Sequence, residues 1–503
     1  MAFLRFAFLA GLAAGLATGE PSGPSYDSGG DPLPPAIDPN VLGALVETHA
    51  DGAETLELSE AMRRAVENNF DRRISRENVA SARARVQRAR GPVLPQVEAG
   101  VGYRRVNEDQ SAVQAGFSPE SETSLNLTAS QMIYDDERIT GLRTSDRELE
   151  AARKTDESIR LDVAEQAGLA YVEVLSVASS LRIAEDNLRI TRENLEIARI
   201  RRKVGTGGPE EVLRLESEEA RQESSLWATR NRLHNATNRL NRALGEPPDR
   251  SWKLADLSLS TDVFGTSLGE IVPLAGSRES SERFRSASIE IAWARSPEAA
   301  AIGFSSEAQE LRLAESRRSF LVPEVVASFE YSHVLDSEYT GGSLGAAEEE
   351  DSWTFLLGAT LPLFEGGARF GEVREARAGL RRLGWEEARL RQRIAVEVSD
   401  SLAAMASSWQ SIRFSRIAAE RAERNLGIVQ DKYEQGTVNI VELLDAQNNA
   451  LVQRLTASIE LYRFFEDLLS FQRSLSWIEP LSDPETNREI VDRYRRRFDG
   501  AEG

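Results

Sequence analysis

Two acidic residues, Glu442 and Asp445, interrupt the otherwise apolar sequence GTVNIVELLDAQ. Positions i and i+3 share a helix face, so both carboxylates are expected to point the same way. They should lie opposite an apolar stripe of Val441, Leu444 and Leu451. Taken alone, such a pair is most often part of a solvated helix face, because charged surface pairs are ordinary.

No other group of side chains has the spacing of a catalytic or metal site. The three histidines, His49, His234 and His333, lie far apart in the sequence. There is no cysteine, which excludes thiol catalysis, disulfides and an acylated lipoprotein cysteine. The sequence GTGG at residues 205–208 lacks the Lys-Ser/Thr of a phosphate loop and predicts a tight turn. Since no nucleophile signature such as GxSxG occurs, neither an enzyme nor a cofactor is expected.

The composition predicts a helical and acidic protein. Aromatic residues make up 7% of the 503 residues and charged residues 28%, and the long segments are rich in Ala, Leu, Glu and Arg. The net charge is -20 and the pI is near 4.9. Nucleic acid is therefore not an expected partner, because phosphate binding needs a basic face.

The N-terminal residues 1–19 have the pattern of a signal peptide. Arg5 is followed by an apolar run of 12 residues, which is too short to span a bilayer. Export is the expected outcome, with a buried helix or an anchor as the alternative. Residues 20–55 are rich in Pro, Gly, Ser and Asp and predict a linker. No later segment reaches about 18 uninterrupted apolar residues, so no transmembrane helix is predicted beyond it.

The remaining chain contains an internal sequence duplication. RARGPVLPQVEAGVGY at residues 88–103 aligns with SRRSFLVPEVVASFEY at residues 316–331, and ENLEIARIRRKVGTG at 193–207 aligns with RNLGIVQDKYEQGTV at 424–438. A period this long indicates a duplicated domain. The predicted division is a first repeat at 56–245, a connector at 246–296, a second repeat at 297–478 and a loosely packed polar tail at 479–503.

Each repeat is predicted to contain a helix, a strand hairpin and a long helical hairpin. The first helices cover residues 57–90 and 297–320, and the long helical runs cover 137–204 and 369–434. At 1.5 Å per residue, a run of ~65 residues extends about 100 Å. The first run carries two heptad seams side by side, which predicts a helix with a neighbour on each side. The first seam is Leu181, Ala184, Leu188, Thr191, Leu195 and Ala198, and the second is Ile183, Ile190 and Ile197.

The strands alternate apolar and polar residues over about ten positions, which is typical of outer-membrane barrel strands and also of soluble half-buried hairpins. Two hairpins supply four strands, whereas the smallest membrane barrels have eight. Open sheet edges are not tolerated in hydrocarbon. If these are membrane strands the chain must oligomerise, and two, three or four copies would supply eight, twelve or sixteen strands.

The sequence resembles the TolC family of outer-membrane efflux and secretion ducts over nearly the whole mature chain. The matching motifs are AVENNFD (65–71), VLPQV (93–97), LPLFEGGAR (361–369) and, most specific, YEQGTVNIVELLDAQ (433–447). The resemblance implies a mainly α fold with membrane β. In a homotrimer, long antiparallel helical hairpins form a 12-helix α-barrel, and four strands per chain contribute to a 12-stranded β-barrel.

The resemblance also implies a function and a location. The expected protein is a passive exit duct of a tripartite efflux pump or type I secretion system in the outer membrane of a Gram-negative bacterium, with a long periplasmic extension. Its partners would be outer-membrane lipid, a periplasmic adaptor and an inner-membrane pump that selects the cargo. The rival is a periplasmic coiled-coil adaptor or scaffold, but two equivalent helical hairpins and two outward-apolar strand pairs count against it.

The resemblance assigns the gate to the closed tip of the tunnel. Glu442 and Asp445 match the family's acidic positions, so a trimer would carry six carboxylates around the constriction, which would favour cations and repel anions. Tyr433 and Glu211 match two members of the latch that holds the tip shut. Val438 stands where the best-known members have arginine, so the tip is expected to be looser or latched differently.

The two turns at the tip are the implied contacts of the adaptor. The residues concerned are Val204, Gly205, Thr206, Gly436 and Thr437.

Overall fold

Two strand hairpins and two long helical hairpins form the framework of the chain. In the first half the elements are β1 (Thr55–Leu56), α1 (Leu58–Asn68), α2 (Phe70–Arg90), β2 (Gln96–Arg105), β3 (Ser121–Tyr134), α3 (Asp136–Lys203) and α4 (Pro209–Leu244). In the second half they are β4 (Lys253–Leu254), α5 (Arg278–Arg295), α6 (Pro297–Arg318), β5 (Glu324–Glu338), β6 (Asp351–Thr360), α7 (Ala368–Glu434), α8 (Ile440–Ser474) and α9 (Pro484–Asp499). Short helical turns lie at Gly91–Val93, Asp262–Phe264, Ser267–Ile271 and Glu479–Leu481.

The structure is a computed structural model that describes residues 54–107, 119–259, 262–271, 278–339 and 350–499. The predicted signal peptide and the predicted linker up to residue 53 lie outside the described residues. The boundaries predicted for the two repeats, the connector and the tail stay predictions, although the same order of helix, strand hairpin and helical hairpin occurs in both halves.

The long helices α3 and α7 contain 68 and 67 residues and agree with the predicted runs. At 1.5 Å per residue each is about 100 Å long. The first predicted helix, 57–90, is wrong in one respect, because it is divided into α1 and α2 at Asn69. The Asn69 side chain caps α2 by accepting a hydrogen bond from the Asp71 N–H (2.8 Å), and its Nδ2 donates to the Ala243 carbonyl (2.9 Å).

One 18-residue window of α3 has the length and composition of a membrane-crossing helix. The helix carries apolar residues such as Ala167, Tyr171 and Val172 that are buried in the central core of the chain. Of this window 33% is buried inside the chain, and helices that pack in a protein core can also have this composition.

Strands β2, β3, β5 and β6 form one antiparallel sheet in that order. The register places Ala129 opposite Val97 on one side and Phe329 on the other, and Phe329 opposite Phe355, so one face of the sheet is continuously apolar. The exposed members of this face are Val97, Val101, Tyr103, Leu127, Phe329, Trp353, Phe355 and Leu357. Residues on the opposite face are mostly small or polar, including Glu98, Asn126, Thr128, Glu330 and Thr354.

The two outer strands of this sheet, β2 and β6, each pair with one neighbour in the described part of the chain. Their second edges therefore present unpaired backbone groups. Trp353 and Val101 are each 70% exposed. An apolar face of this extent is foreign to a water-facing sheet and typical of strands that contact lipid.

The helices pack as two antiparallel hairpins, α3 with α4 and α7 with α8, and α3 also contacts α2, α6 and α8. The predicted first seam of α3 is buried at Leu188, Thr191, Leu195 and Ala198. The predicted second seam, at Ile190 and Ile197, is only half-buried. One flank of α3 is thus less completely covered within the single chain than the other.

The largest core lies at the waist of the helical region and draws on segments that the sequence predicted to be peripheral. Phe284 in the predicted connector stacks on Tyr494 in the predicted tail, with ring centroids 4.8 Å apart. Tyr494 and Ile490 of α9 are fully buried, and the Tyr494 hydroxyl is 2.8 Å from the Ser288 hydroxyl. The expectation of a loosely packed tail is wrong for α9, because an amphipathic helix buries its apolar face against this core.

A partly buried ion cluster joins α3, α6 and α8 beside this core. The Arg473 guanidinium contacts Asp162 (2.6 Å) and Glu298 (2.7 Å), and the Ser158 hydroxyl donates to Glu298 (2.6 Å). Burial alone would raise the pKa of Glu298. The hydrogen bonds from Ser158 and Arg473 and the charge of Arg473 outweigh burial and lower that pKa to about 2.

The low pKa of Glu298 predicts a loss of stability in acid. A carboxyl with a folded pKa of about 2 and an unfolded value of 4.5 contributes its full stability above the unfolded value and loses it as the pH falls towards 2. The contribution is about 3 kcal/mol by linkage. In urea unfolding, Glu298→Gln should be less stable than wild type at pH 7, and the difference should shrink as the pH falls from about 5 to about 2. A difference that is independent of pH would contradict this assignment.

Candidate gate at the helical tip

Two equivalent turns end the long helices at the tip, and both depend on a glycine with positive φ. Gly205 has a φ of +78° and Gly436 a φ of +74°, values that glycine adopts without strain. In each turn the following threonine donates its backbone N–H to a carbonyl five residues earlier, from Thr206 to Arg201 (2.9 Å) and from Thr437 to Lys432 (2.9 Å).

All five residues predicted as adaptor contacts are exposed in these turns. They are Val204, Gly205, Thr206, Gly436 and Thr437. Val204 is 67% exposed, which is unusual for a β-branched apolar side chain at a turn between two helices. The structure thus leaves these turns open for contact, as predicted, without testing what contacts them.

A side-chain latch joins the two helical hairpins beneath the turns. Tyr433, the last buried residue of α7, is fully buried and donates its hydroxyl hydrogen to Glu211 Oε2 of α4 at 2.9 Å. Burial raises the pKa of Tyr433, and the hydrogen bond to the Glu211 carboxylate raises it further. Tyr433 therefore remains a neutral donor at physiological pH. The structure brings these two predicted residues together.

Arg201 completes the latch, and sequence reasoning missed it. Its guanidinium lies 4.6 Å from the Tyr433 ring centroid, donates to the Tyr433 carbonyl (2.5 Å) and approaches Glu211 Oε1 at 3.9 Å. Val438 instead packs against apolar neighbours at the tip. The cation in this contact therefore comes from Arg201 in the last turn of α3 and not from position 438. Arg201 was hidden in the sequence because Arg202 and Lys203 follow it directly.

Beneath the latch an apolar cluster packs the two hairpins against each other. Its buried members are Leu195, Ala198, Val212, Leu215, Ala422, Leu426, Tyr433, Ile440, Leu443, Ala446 and Ala450. On the α8 side the cluster combines Ile440 and Leu443 with Ala446 and Ala450. The latch and the cluster both join the first helical hairpin to the second near the turns.

Glu442 and Asp445 are exposed on one face of α8, as predicted. Asn439 caps this helix, accepting from the N–H groups of Val441 (2.9 Å) and Glu442 (3.1 Å), and its Nδ2 donates to the Glu442 carboxylate (2.9 Å). Neither acidic side chain touches the latch. The predicted apolar stripe is wrong at Val441, which is 54% exposed.

The buried face of this part of α8 is rotated from the prediction, because the apolar residues 440, 441, 443 and 444 lie on more than one side of its first turn. The residues that face the protein interior are Ile440, Leu443, Ala446, Gln447 and Ala450. Within the described residues no group of three or more His, Cys, Asp or Glu side chains has the geometry of a metal site.

Comparison with known proteins gives a family match across both repeats. Residues 61–246 and 290–461 match the profile of the outer membrane efflux protein family. The chain is 24% identical over 402 residues to the probable efflux pump outer membrane protein SepC of Pseudomonas putida, covering 78% of this chain and 77% of that protein. It is 22% identical over 416 residues to the outer membrane protein TolC of Salmonella enteritidis, covering 81% and 80%.

The fold is similar to that of the outer membrane protein VceC from Vibrio cholerae. The TM-score is 0.67 at 17% identity, and the alignment covers 84% of this chain and 96% of that chain. This likeness confirms the predicted fold class of long helical hairpins joined to barrel strands.

The latch geometry predicts that Arg201 contributes more to closure than its charged neighbours. Arg201→Met should leave the Tyr433 carbonyl and Glu211 without their charged partner, and Tyr433→Phe should remove only the hydroxyl bond. Hydrogen exchange of the backbone amides at 201–213 and 430–443 should be faster by about tenfold in Arg201→Met and less affected in Tyr433→Phe. Arg202→Met is the matched control, because Arg202 is exposed. Equal acceleration in Arg201→Met and Arg202→Met would contradict the role of Arg201.

Proposed function

The chain belongs to the outer membrane efflux protein family, and from that premise we propose that three copies form one continuous exit duct. The family assignment confirms the predicted function in efflux and the predicted location in the outer membrane of a Gram-negative bacterium. In the proposed trimer, four strands per chain close a twelve-stranded barrel in the membrane. The helices α3, α4, α7 and α8 of each chain form a twelve-helix tunnel in the periplasm.

The observation that carries this proposal is the four-stranded sheet with one exposed apolar face and two open edges. In hydrocarbon every backbone N–H and C=O must be paired within the protein, so β2 of one copy has to meet β6 of the next. A mostly polar face opposite the apolar one then lines a water-filled lumen. A periplasmic adaptor is surrounded by water and does not need a sheet face that contacts lipid. The sheet therefore favours the duct over that alternative.

The half-covered flank of α3 supports the same assembly. Ile190 and Ile197 are only half-buried in one chain, although they repeat at heptad spacing. A neighbouring copy packed on this flank would bury them as the second seam of a ring of helices. The barrel and the tunnel therefore require the same neighbour.

The tunnel is passive, and its energy comes from the pump to which it is joined. Two of the proteins that the chain resembles are described as efflux pump outer membrane proteins. We assign the exposed turns at Gly205 and Gly436 to contact with a periplasmic adaptor, which couples the duct to an inner-membrane pump. Cargo selection is assigned to the pump.

The gate of the proposed duct is the tip that the latch holds closed. Three-fold symmetry gives six carboxylates from Glu442 and Asp445 around the axis, on the α8 face that no other part of the described chain covers. Such a ring concentrates cations and excludes anions at the constriction. Opening requires the latch of Tyr433, Glu211 and Arg201 to release.

The trimer can be tested by cross-linking, because the native chain contains no cysteine. Gly100→Cys in β2 would be combined in turn with Ser352→Cys, Thr354→Cys or Gly358→Cys in β6, all on the mostly polar face. Partial oxidation in outer membranes should give monomer, dimer and trimer bands and nothing larger for the pair that is in register. Each single variant is a control and should remain a monomer, because equivalent positions of neighbouring copies lie four strands apart in a twelve-stranded barrel. If the largest cross-linked band is a dimer, or if bands larger than a trimer appear, the trimer is rejected.

The carboxylate ring can be tested by conductance in planar bilayers. Glu442→Ala combined with Asp445→Ala should weaken the preference for cations and the block by multivalent cations, because the ring supplies the field at the constriction. The matched control is Glu193→Ala with Glu196→Ala, a second exposed pair at i and i+3, located on α3. Unchanged selectivity in the first double variant, or equal loss in both, would eliminate the ring.

A further inference from the structure

Five buried polar side chains form a layer directly beneath the apolar cluster of the tip. They are Asn187, Thr191 and Asn194 of α3, Gln222 of α4 and Gln447 of α8. Their side chains are between 0% and 9% exposed. Buried amides and hydroxyls are costly unless they are hydrogen-bonded, so the contacts within this layer must account for its presence. We call these five residues the amide layer.

Gln447 is the only member of the amide layer that comes from the second helical hairpin. Its Nε2 donates to the Thr191 hydroxyl at 2.6 Å and also lies 3.2 Å from Asn187 Oδ1. Its Oε1 accepts from Asn194 Nδ2 at 3.4 Å. One glutamine side chain therefore uses both its donor and its acceptor to join α8 to three residues of α3.

The remaining bonds of the layer stay within the first hairpin. The Thr191 hydroxyl is 2.9 Å from Gln222 Oε1 of α4, and Gln222 Nε2 donates to Glu218 at 2.8 Å. Gln447 of α8 thus bonds to Thr191, which is itself hydrogen-bonded to Gln222 within the first hairpin. A buried polar layer of this kind can specify the register of packed helices, because only one alignment satisfies every group.

Polar contacts continue along the seam between α3 and α8 towards the waist. Arg454 contacts Asp186 at 2.6 Å, and the Ser458 hydroxyl donates to the Ser179 hydroxyl at 2.8 Å. The seam between α7 and α8 contains many apolar side chains, including Val398, Leu402, Met405, Ile412, Phe464 and Phe465, and Arg454 also contacts Glu423 of α7 at 3.0 Å. Hydrogen bonds such as those between α3 and α8 can be exchanged between discrete alignments, so this seam is suited to rearrangement.

The amide layer and the gate carboxylates lie on opposite faces of the same helix. Gln447 follows Asp445 by two residues, which is about 200° around an α-helix. A rotation or displacement of α8 that carries Glu442 and Asp445 away from the tunnel axis therefore changes the position of Gln447 against α3. The two faces move as one because α8 is continuous from Ile440 to Ser474.

We propose that Gln447 is a positioning residue of the gate, which holds α8 in the closed alignment through the amide layer and acts as a second lock beside the Tyr433 latch. The inference rests on the proposed function. When α8 leaves its closed alignment, the hydroxyl of Thr191 and the amides of Asn187 and Asn194 lose a buried partner. Because these bonds are lost only when α8 moves, they favour the closed state. The seam between α3 and α8 would then have two discrete arrangements rather than a continuous range.

The test compares Gln447→Ala and Thr191→Val with Gln472→Ala. Thr191→Val replaces a hydroxyl by a methyl group of similar size and guards against a folding defect in Gln447→Ala. Gln472 is the control because it is a fully buried glutamine of the same helix, and it bonds to Ser267 (2.8 Å) and Glu479 at the waist. In planar bilayers the first two variants should raise the conductance of the resting channel about threefold or more, whereas Gln472→Ala should stay within about twofold of wild type.

Cation preference separates a lock from a change in the gate carboxylates. Gln447→Ala should conduct more while retaining the cation preference of wild type, since Glu442 and Asp445 are unchanged. Combining Gln447→Ala with Tyr433→Phe should raise conductance further than either substitution alone. Unchanged conductance in both Gln447→Ala and Thr191→Val would overturn the inference.

Hydrogen exchange of the purified full-length protein tests the layer independently of conduction. Gln447→Ala should accelerate exchange in both 187–194 and 440–450, while Gln472→Ala should leave these segments unchanged. If Gln447→Ala shows this paired acceleration but the wild-type protein forms no channel, the proposed duct is rejected, and only the role of Gln447 in holding α8 against α3 is retained. A conducting wild type whose segments do not respond to Gln447→Ala would retain the duct and reject the lock.

Discussion

Backbone groups cannot be left unpaired in hydrocarbon, and this constraint determines the rest of the architecture. The chain places ten to fifteen residues in each of four strands, gives them one apolar face, and leaves the outer edges of β2 and β6 without partners among the described residues. Neighbouring copies must supply those partners. Once the strands are joined in a ring, the long helices that continue from them are placed around the same axis, and their half-covered flanks acquire neighbours.

Different interactions hold the helical region together at the waist and at the tip. At the waist, aromatic side chains such as Phe284, Phe465 and Tyr494 are buried in one large core, and Arg473 ties three helices together through carboxylates. At the tip, a smaller cluster rich in alanine is supplemented by directional bonds of Tyr433, Arg201 and Gln447. Hydrogen bonds can be exchanged between discrete arrangements, whereas a packed aromatic core cannot be rearranged without loss of contacts. The tip is therefore the part of the molecule suited to open.

Much of this architecture could be predicted from sequence because it is periodic. Alternation located the four strands, and heptad spacing located α3 and α7 to within a residue or two. The contact between Tyr433 and Glu211 was also anticipated, although only by resemblance.

Arg201 was not anticipated, because three consecutive cations at a helix end are individually indistinguishable. Val441 was placed on the wrong face, since apolar residues at 440, 441, 443 and 444 allow more than one choice of apolar stripe in the first turn of α8. The core residues of α5 and α9 were missed because few apolar residues stand among many polar ones, although those of α9 share one helix face. Asn69 ends the first helix through a capping bond that no pattern of apolar residues records.

The central claim is that a single copy cannot bury its strand edges and that three copies can. Analytical ultracentrifugation of the mature chain, with and without detergent, measures this most directly. The account predicts a particle of three chains in detergent and precipitation or unfolding when detergent is removed. A folded monomer that stays in aqueous solution would contradict it, because its exposed apolar sheet and open edges would then need neither lipid nor partner.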